Sequence, residues 1–325
     1  MADKRGHLTI CVAALTRQRP HMLGHLLDSW AALAVPPDCD LRFVIVENDE
    51  TPLSQSVVEA AMGRLPGPLS YVLESEAGIP FGRNRAAKEA LKMGADLLVQ
   101  MDDDEQAAQD WLVRLIAGYR ASPARLMGAP LRARVPEVEL STWQRFLFQR
   151  IDARYRTKEQ RAAKKATLSR TDGVTIVTNN WLAETTLFSG EGIWFDEAMR
   201  FTGGTDAKFY HTARAKNVPT GWVPDAFVYE TIPPKRLSFL YQLERGRDQS
   251  RTHYRRKAEA GQVNLTATLS LILLKSLSTG LLALSVPLTF GRTILTFARS
   301  AGWVWGQVAG LRGTRSELYR QVTGS

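Results

Sequence analysis

Cysteine is scarce: Cys11 and Cys39 are the only two in 325 residues. That excludes a disulfide scaffold. Cys11 falls in an apolar strand pattern and Cys39 in a Pro/Asp turn, so both read as reduced thiols of a cytosolic protein. A secretory leader is not visible either, because Leu8–Leu15 is short and runs straight into Thr16-Arg17-Gln18-Arg19. Acidic residues are missing altogether from Leu265 to Trp305. Within that tail Lys275 and Arg292 bracket sixteen uncharged residues, Pro287 among them, fewer than the ~20 a membrane-spanning helix needs. Adding 265–274 would set Lys275 near mid-bilayer, which is costly. The tail is therefore expected to form short helices lying in one leaflet. Leu271, Leu274, Leu277, Leu281 and Leu284 recur at helical spacing, and Trp303 and Trp305 suit a headgroup interface. A buried helical subdomain or dimer interface, and a true membrane span, are the other readings of the same pattern.

Negative charge is outnumbered, with 42 Lys and Arg against 33 Asp and Glu, a net charge of +9. The excess is local. Residues 145–170 carry nine basic residues against two acids, and 235–257 carry eight against two. Such segments favour phosphates or an anionic membrane surface. They have few interleaved aromatics and no recognisable module, which argues against nucleic acid as a partner. The segment 145–170 reads as a charged helix or a membrane-facing arm.

What is present is an ordinary globular composition, 44% hydrophobic and 23% charged, and length for one large or two medium domains. The first 130 residues alternate strand and helix patterns, as in a mostly parallel α/β sheet. The spacing predicts strands at Leu8–Ala14, Leu41–Val46, Leu69–Leu73, Leu97–Met101 and Arg125–Leu131. Helices are predicted at Met22–Ala34, Ser54–Met62, Phe81–Met93 and Trp111–Tyr119. Further on, Val174–Thr178 and Val223–Val228 read as strands, and a helix opens near Asp206. A long basic helix covers Arg236–Ala260. In open parallel sheets ligands collect at the carboxyl ends of strands, here Thr16–Arg19, Glu47-Asn48-Asp49 and Asp102–Asp104.

The Asp102-Asp103-Asp104 run follows the apolar strand Leu97–Met101 directly. Three adjacent carboxylates repel one another, and a divalent cation with oxygen ligands, Mg²⁺ or Mn²⁺, would relieve this. A solvated acidic turn before the helix near Asp110 is the competing reading.

Together these residues resemble family 2 glycosyltransferases of the GT-A fold, and among them the bacterial enzymes that extend lipid-linked exopolysaccharides of the succinoglycan type. The likeness covers roughly residues 7–256. It is carried by Thr16-Arg17-Gln18-Arg19-Pro20, Val44-Ile45-Val46-Glu47-Asn48-Asp49, Gly78-Ile79-Pro80-Phe81-Gly82-Arg83-Asn84, and Asp102-Asp103-Asp104-Glu105 followed by Trp111-Leu112. The family's Gly-Gly-Glu-Asp block stands here as Gly203-Gly204-Thr205-Asp206, with Thr in place of Glu. The Gln-x-x-Arg-Trp signature of processive synthases is absent, and Arg245-Gly246-Arg247 lies near its place, which implies one sugar added per binding event.

The resemblance implies a nucleotide-sugar-binding half at 1–132, an acceptor-binding half at 133–260 and a membrane-associated tail at 261–325. It implies an inverting transfer from a UDP-sugar to a polyprenyl-pyrophosphate-linked or other saccharide, at the cytoplasmic face of the inner membrane. Asp102 and Asp104 would hold Mn²⁺ or Mg²⁺. Thr16, Arg19, Arg83, Asp102 and Asp103 would line the nucleotide site, with Glu47, Asn48 or Asp49 on the base. Asp206 would be the general base, an N-cap role being the alternative. Asn180, Trp181, Gly203, Gly204, Arg245 and Arg247 are the acceptor candidates, a core position being the commoner fate of a Trp such as Trp181; His253 reads as a surface residue. A sugar nucleotidyltransferase would keep the fold, but those enzymes usually carry a Gly-rich loop after the first strand and Thr16–Pro20 has no glycine. A non-catalytic membrane scaffold is the reading from outside enzymology.

Overall fold

The computed structural model describes residues 6–167, 174, 176–200, 203–259 and 261–312. They fall into two compact units, one built from the chain up to Arg134 with Tyr155–Thr231, the other from Val135–Arg154 with the chain from Ile232 onward.

The first unit is the α/β part. Its strands are β1 (Leu8–Thr16), β2 (Cys39–Glu47), β3 (Leu69–Leu73), β4 (Leu97–Asp102), β5 (Glu105–Ala107), β6 (Leu126–Gly128), β7 (Leu131–Arg134), β8 (Asn180–Glu184), β9 (Thr220–Trp222) and β10 (Val228–Thr231). Seven of them make one sheet in the order β3-β2-β1-β4-β8-β6-β9. Only β8 runs against its neighbours β4 and β6; the other pairs are parallel. A small second sheet has the order β5-β10-β7.

The strand pattern explains the layering. Along β1, Ile10, Val12 and Ala14 pack on one face with Leu23, Leu26, Leu27 and Trp30 of helix α1 (Pro20–Ala31). Cys11 and Ala13 point to the other face, toward Ala86, Ala87 and Ala90 of α3 (Ile79–Lys92) and the aromatic cluster of Trp181, Phe188, Phe195 and Phe209. Both faces are covered, as the near-continuous apolar runs of parallel strands require. The remaining helices of this unit are α2 (Gln55–Ala61), α4 (Trp111–Arg120), the short α6 (Thr186–Ser189) and α7 (Thr205–Ala215), while α5 (Thr142–Thr167) begins in the second unit. Cys11 and Cys39 are both free thiols.

The second unit is helical: α8 (Phe239–Glu259), α9 (Leu265–Leu288) and α10 (Ile294–Leu311). Helix α10 lies hard against α8 because glycine lets the backbones meet. A Cβ on Gly302 would sit 2.0 Å from the Leu243 carbonyl oxygen, and one on Gly306 2.1 Å from that of Arg247. Helix α9 has no buried residue.

Four expectations are corrected. The strand expected at Val174–Thr178 lies partly outside the described residues, and the strand itself starts at Asn180, where pairing with Met101 of β4 begins. Of Val223–Val228, all but Val228 form the link between β9 and β10, which belong to different sheets; Arg125–Leu131 likewise divides into β6 and β7, with Ala129 and Pro130 between them. The tail is not a set of short helices: α9 is one unbroken helix of 24 residues, about 36 Å at 1.5 Å per residue. Pro287 lies in its last turn, where it ends the helix instead of breaking it.

Candidate active site

The chain leaves β1 to build β2 and β3 on one side and returns to place β4 on the other. The carboxyl ends of β2, β1 and β4 therefore meet at a switch point, with Thr16 beside Glu47 and Leu15 beside Asp102. Asp103 is buried there. Its Oδ2 accepts a hydrogen bond from Thr16 Oγ1 at 2.9 Å and its Oδ1 one from Arg19 Nη1 at 3.0 Å. The same Nη1 lies 3.7 Å from Asp104 Oδ2.

Immediately after β4 the chain turns back into β5, which swings a fourth carboxylate, Glu105, under the triplet. Glu105 Oε2 accepts the Asp102 backbone N–H at 3.0 Å. Asp102, Asp104 and Glu105 each offer an oxygen such that all three lie within 4.8 Å of one another. Crowding leaves its mark on the acids. Desolvation, offset in part by Arg83 and reinforced by Asp104, Asp206 and Asp103, pushes Asp102 up to about 7 although 45% of its side chain stays open. Asp103 rises to about 6 through burial, which Arg19 opposes and Asp104 adds to. Glu105 is pushed well above the usual carboxylate range by burial and then by Asp102 and Asp104. An all-oxygen, net-negative, desolvated set of this kind fits a hard divalent cation.

Asp206 approaches from the other side. Helix α7 opens after Gly204, whose φ of 90° is a left-handed conformation that glycine adopts without strain. The N-cap position is thus taken by a residue with no side chain, and Asp206 stands in the first turn, so it is not the cap. Its Oδ1 accepts from Thr178 Oγ1 at 3.0 Å, from Thr205 Oγ1 at 3.4 Å and, in a short ion pair, from Arg83 Nη1. The other end of that guanidinium, Nη2, is 3.6 Å from Asp102 Oδ1. One buried arginine of α3 therefore joins Asp206 to the acidic cluster.

The β2 end divides by role. Glu47 is fully buried and accepts from the Ser54 N–H, the Ser54 hydroxyl and the Tyr71 hydroxyl, so it fixes the loop ahead of α2. Asn48 donates to the carbonyls of Glu74 and Glu76 and accepts from Gly78 N–H, clamping the entry to α3. Asp49 alone of the three bonds to a side chain of the β1 loop, accepting from Gln18 Nε2 at 2.7 Å, with Arg17 Nε at 3.7 Å.

Asn180 and Trp181, expected at the acceptor, are core residues. Asn180 donates to the carbonyls of Pro130 and Ala226 and accepts from Trp111 Nε1, while the Trp181 indole donates to Gln100 and packs edge-on against Phe195 and Phe209. Both are about 1% exposed, so neither side chain is open to a ligand. Gly203 and Gly204 form the turn into α7 beside Asp206. Arg245 and Arg247 lie on α8 in the helical unit, Arg247 pairing with Asp248 at 2.8 Å and stacking 4.7 Å from the Trp305 ring centre.

A model of the family described as glycosyl transferase family 2 matches residues 9–184, the span holding β1 through β8. The chain belongs to that family. The succinoglycan biosynthesis protein ExoM of Rhizobium meliloti is 27% identical over 252 residues, 78% of this chain and 76% of that protein. Among solved structures, the mannosyltransferase PcManGT of Pyrobaculum calidifontis in complex with GDP-Man and Mn²⁺ has a TM-score of 0.62 at 17% identity, covering 96% of this chain and 90% of its own. TarS 1–349 of S. aureus in complex with UDP has a TM-score of 0.50 at 16% identity, covering 98% of this chain and 95% of its own. These two likenesses establish the GT-A fold, and family membership makes this family 2 chain a glycosyltransferase.

Three site residues escaped the sequence reading of roles: Glu105, Thr178 and Gln18. Glu105 belongs to the acidic run, but only the reversal from β4 to β5 turns it inward. Thr178 reaches Asp206 because β8 runs antiparallel to β4, with Asn180 opposite Met101, so the residues ahead of it fall beside the acidic turn. Nothing in linear spacing marks that.

Proposed function

We propose that this family 2 glycosyltransferase is a metal-dependent, inverting hexosyltransferase moving a sugar from a UDP-sugar to a lipid-linked saccharide in bacterial polysaccharide synthesis. The observation that carries the reading is the Arg83 guanidinium, which ties Asp206 to the same acidic cluster that suits a cation.

Asp102 and Asp104, with Glu105, would hold Mn²⁺ or Mg²⁺, which when bound acts as a Lewis acid toward a diphosphate leaving group. Asp103, held by Thr16 and Arg19, would face the ribose hydroxyls. Of the β2-end residues, Asp49 suits the base, since Glu47 and Asn48 spend their groups on the loops they hold. Asp206 takes the proton of the acceptor hydroxyl as that oxygen bonds to the anomeric carbon. The carbon–oxygen bond to the diphosphate breaks and its electron pair leaves with the nucleotide. One displacement with one base inverts the anomeric centre.

The membrane reading rests on the second unit. Leu271, Leu274, Leu277, Leu281 and Leu284 of α9 are 55–69% exposed. Lys275 lies within that stretch and Arg292 beyond its end, and Trp305 is half-open. Such a helix suits an anionic bilayer surface on the cytoplasmic side, by length and composition long enough even to cross it. Arg245 and Arg247 on α8 are suited to a pyrophosphate, guanidinium groups pairing well with phosphate oxygens. Calorimetric titration of UDP with and without Mn²⁺ tests the donor site. Binding that needs the metal and is lost in Asp104→Asn supports it; metal-independent binding contradicts it.

A further inference from the structure

The hydrogen bonds around Asp206 are one-sided. Among the described residues, Thr178, Thr205 and Arg83 all donate to Oδ1 and none donates to Oδ2. Thr178 and Thr205 are each about 3% exposed, whereas the Asp206 side chain keeps 25% of its surface open. Thr205 also accepts from Arg83 Nη1 at 3.3 Å, so the two threonines and the arginine form a closed set around a single oxygen. A carboxylate with one oxygen held by three donors cannot spin about its Cβ–Cγ bond without breaking all of them.

We propose that Thr178 and Thr205 are positioning residues that lock Oδ1 and leave Oδ2 as the oxygen receiving the acceptor's proton. The inference rests on Asp206 being the base. It gives a purpose to Thr205, which stands where the resembling sequences carry Glu. A carboxylate at 205 could not donate to Oδ1 and would compete with Asp206 for Arg83, whereas a hydroxyl accepts from the arginine and donates to the aspartate at once. Thr178 is the stronger of the two supports, being shorter by geometry and on a separate segment from α7.

The test compares Thr178→Val, which keeps the shape and removes the donor, with Thr178→Ser, which keeps the donor. Nucleotide release is followed from UDP-glucose, UDP-galactose and UDP-N-acetylglucosamine, with lipid-linked saccharides extracted from bacterial membranes as acceptor. Thr178→Val should lower kcat about tenfold or more, the usual cost of losing a hydrogen bond to a charged group. KM for the donor and calorimetric UDP binding with Mn²⁺ should stay unchanged, and Thr178→Ser should restore most of kcat. Full turnover in Thr178→Val overturns the proposal, as does an equal loss in the serine variant. Crystal structures of wild type and Thr178→Val give a readout that needs no donor: the Asp206 carboxylate should turn in the variant, and an unmoved carboxylate overturns the lock. Asp206→Asn separates the two levels. If it is active, the base assignment fails. If it is inactive while Thr178→Val is normal, only the positioning role fails.

Discussion

Asp102 and Asp103 sit in the protein as acids that resist ionisation, at about 7 and about 6, and this has a definite sign in stability. A carboxyl raised by folding binds its proton more tightly in the native state than in the unfolded chain. Its contribution is fully favourable below the ordinary carboxylate range and is lost as pH climbs toward the raised value. Without metal, Asp102→Asn should therefore gain thermal stability over wild type as pH rises from 5 to about 7.5. Mn²⁺ requires the ionised forms, so its stabilisation of wild type should grow over the same window. Thermal melts at a series of pH values, with Mn²⁺ or chelator, check both slopes; a pH-independent metal effect goes against the assignment. Much of this residue-level picture was legible beforehand. The acidic run, Arg83 and Asp206 stand out as residue types in the right order, and the structure brings them together. Asn180 and Trp181 misled because a polar or aromatic residue at a strand start looks the same whether it faces ligand or core. Only their hydrogen bonds to Trp111, Pro130, Ala226 and Gln100 show that their polar atoms are used inside.

At the scale of elements, the first four strands follow from apolar runs bounded by turn residues, and β3 falls where the pattern sets it, at Leu69–Leu73. The misreadings share a cause. Arg125–Leu131 and Val223–Val228 are apolar stretches that change sheet midway, and local periodicity carries no information about which partner strand waits. Lys275 makes α9 look like two short pieces in the sequence; a lysine has high helix propensity and a long stem, so it stays within one helix even where its charge is unwelcome in lipid. The exposed leucines of α9 give the element its own prediction. Leu274, Leu277 and Leu281, 62–69% exposed, can each become Glu without disturbing a packed core. The triple variant should keep its melting temperature and its UDP binding. It should lose about tenfold or more of its sedimentation with phosphatidylglycerol vesicles, since both apolar burial and charge attraction are removed. Unchanged sedimentation would mean that α9 is not the anchor.

Taken as a whole molecule, the chain divides its chemistry by composition. The α/β unit carries the acidic strand end with the buried Arg83 and the partly buried Arg19 that balance it, and the helical unit carries the exposed leucines and the basic helix α8. The leucine-rich tail was visible as a shift in hydropathy along the sequence, although the boundary expected at 260/261 splits it from α8. The assignment of residues 135–154 to the helical unit was not, because a segment that joins a distant part of the chain leaves no local mark. Everything in the functional account turns on Asp206 acting beside the cation-binding carboxylates. Its most direct test is turnover of Asp206→Asn measured against its calorimetric affinity for UDP with Mn²⁺. The account predicts a fall in kcat of roughly 10²–10⁴-fold, the range of general-base catalysis, with nucleotide binding intact. Turnover near that of wild type would contradict it.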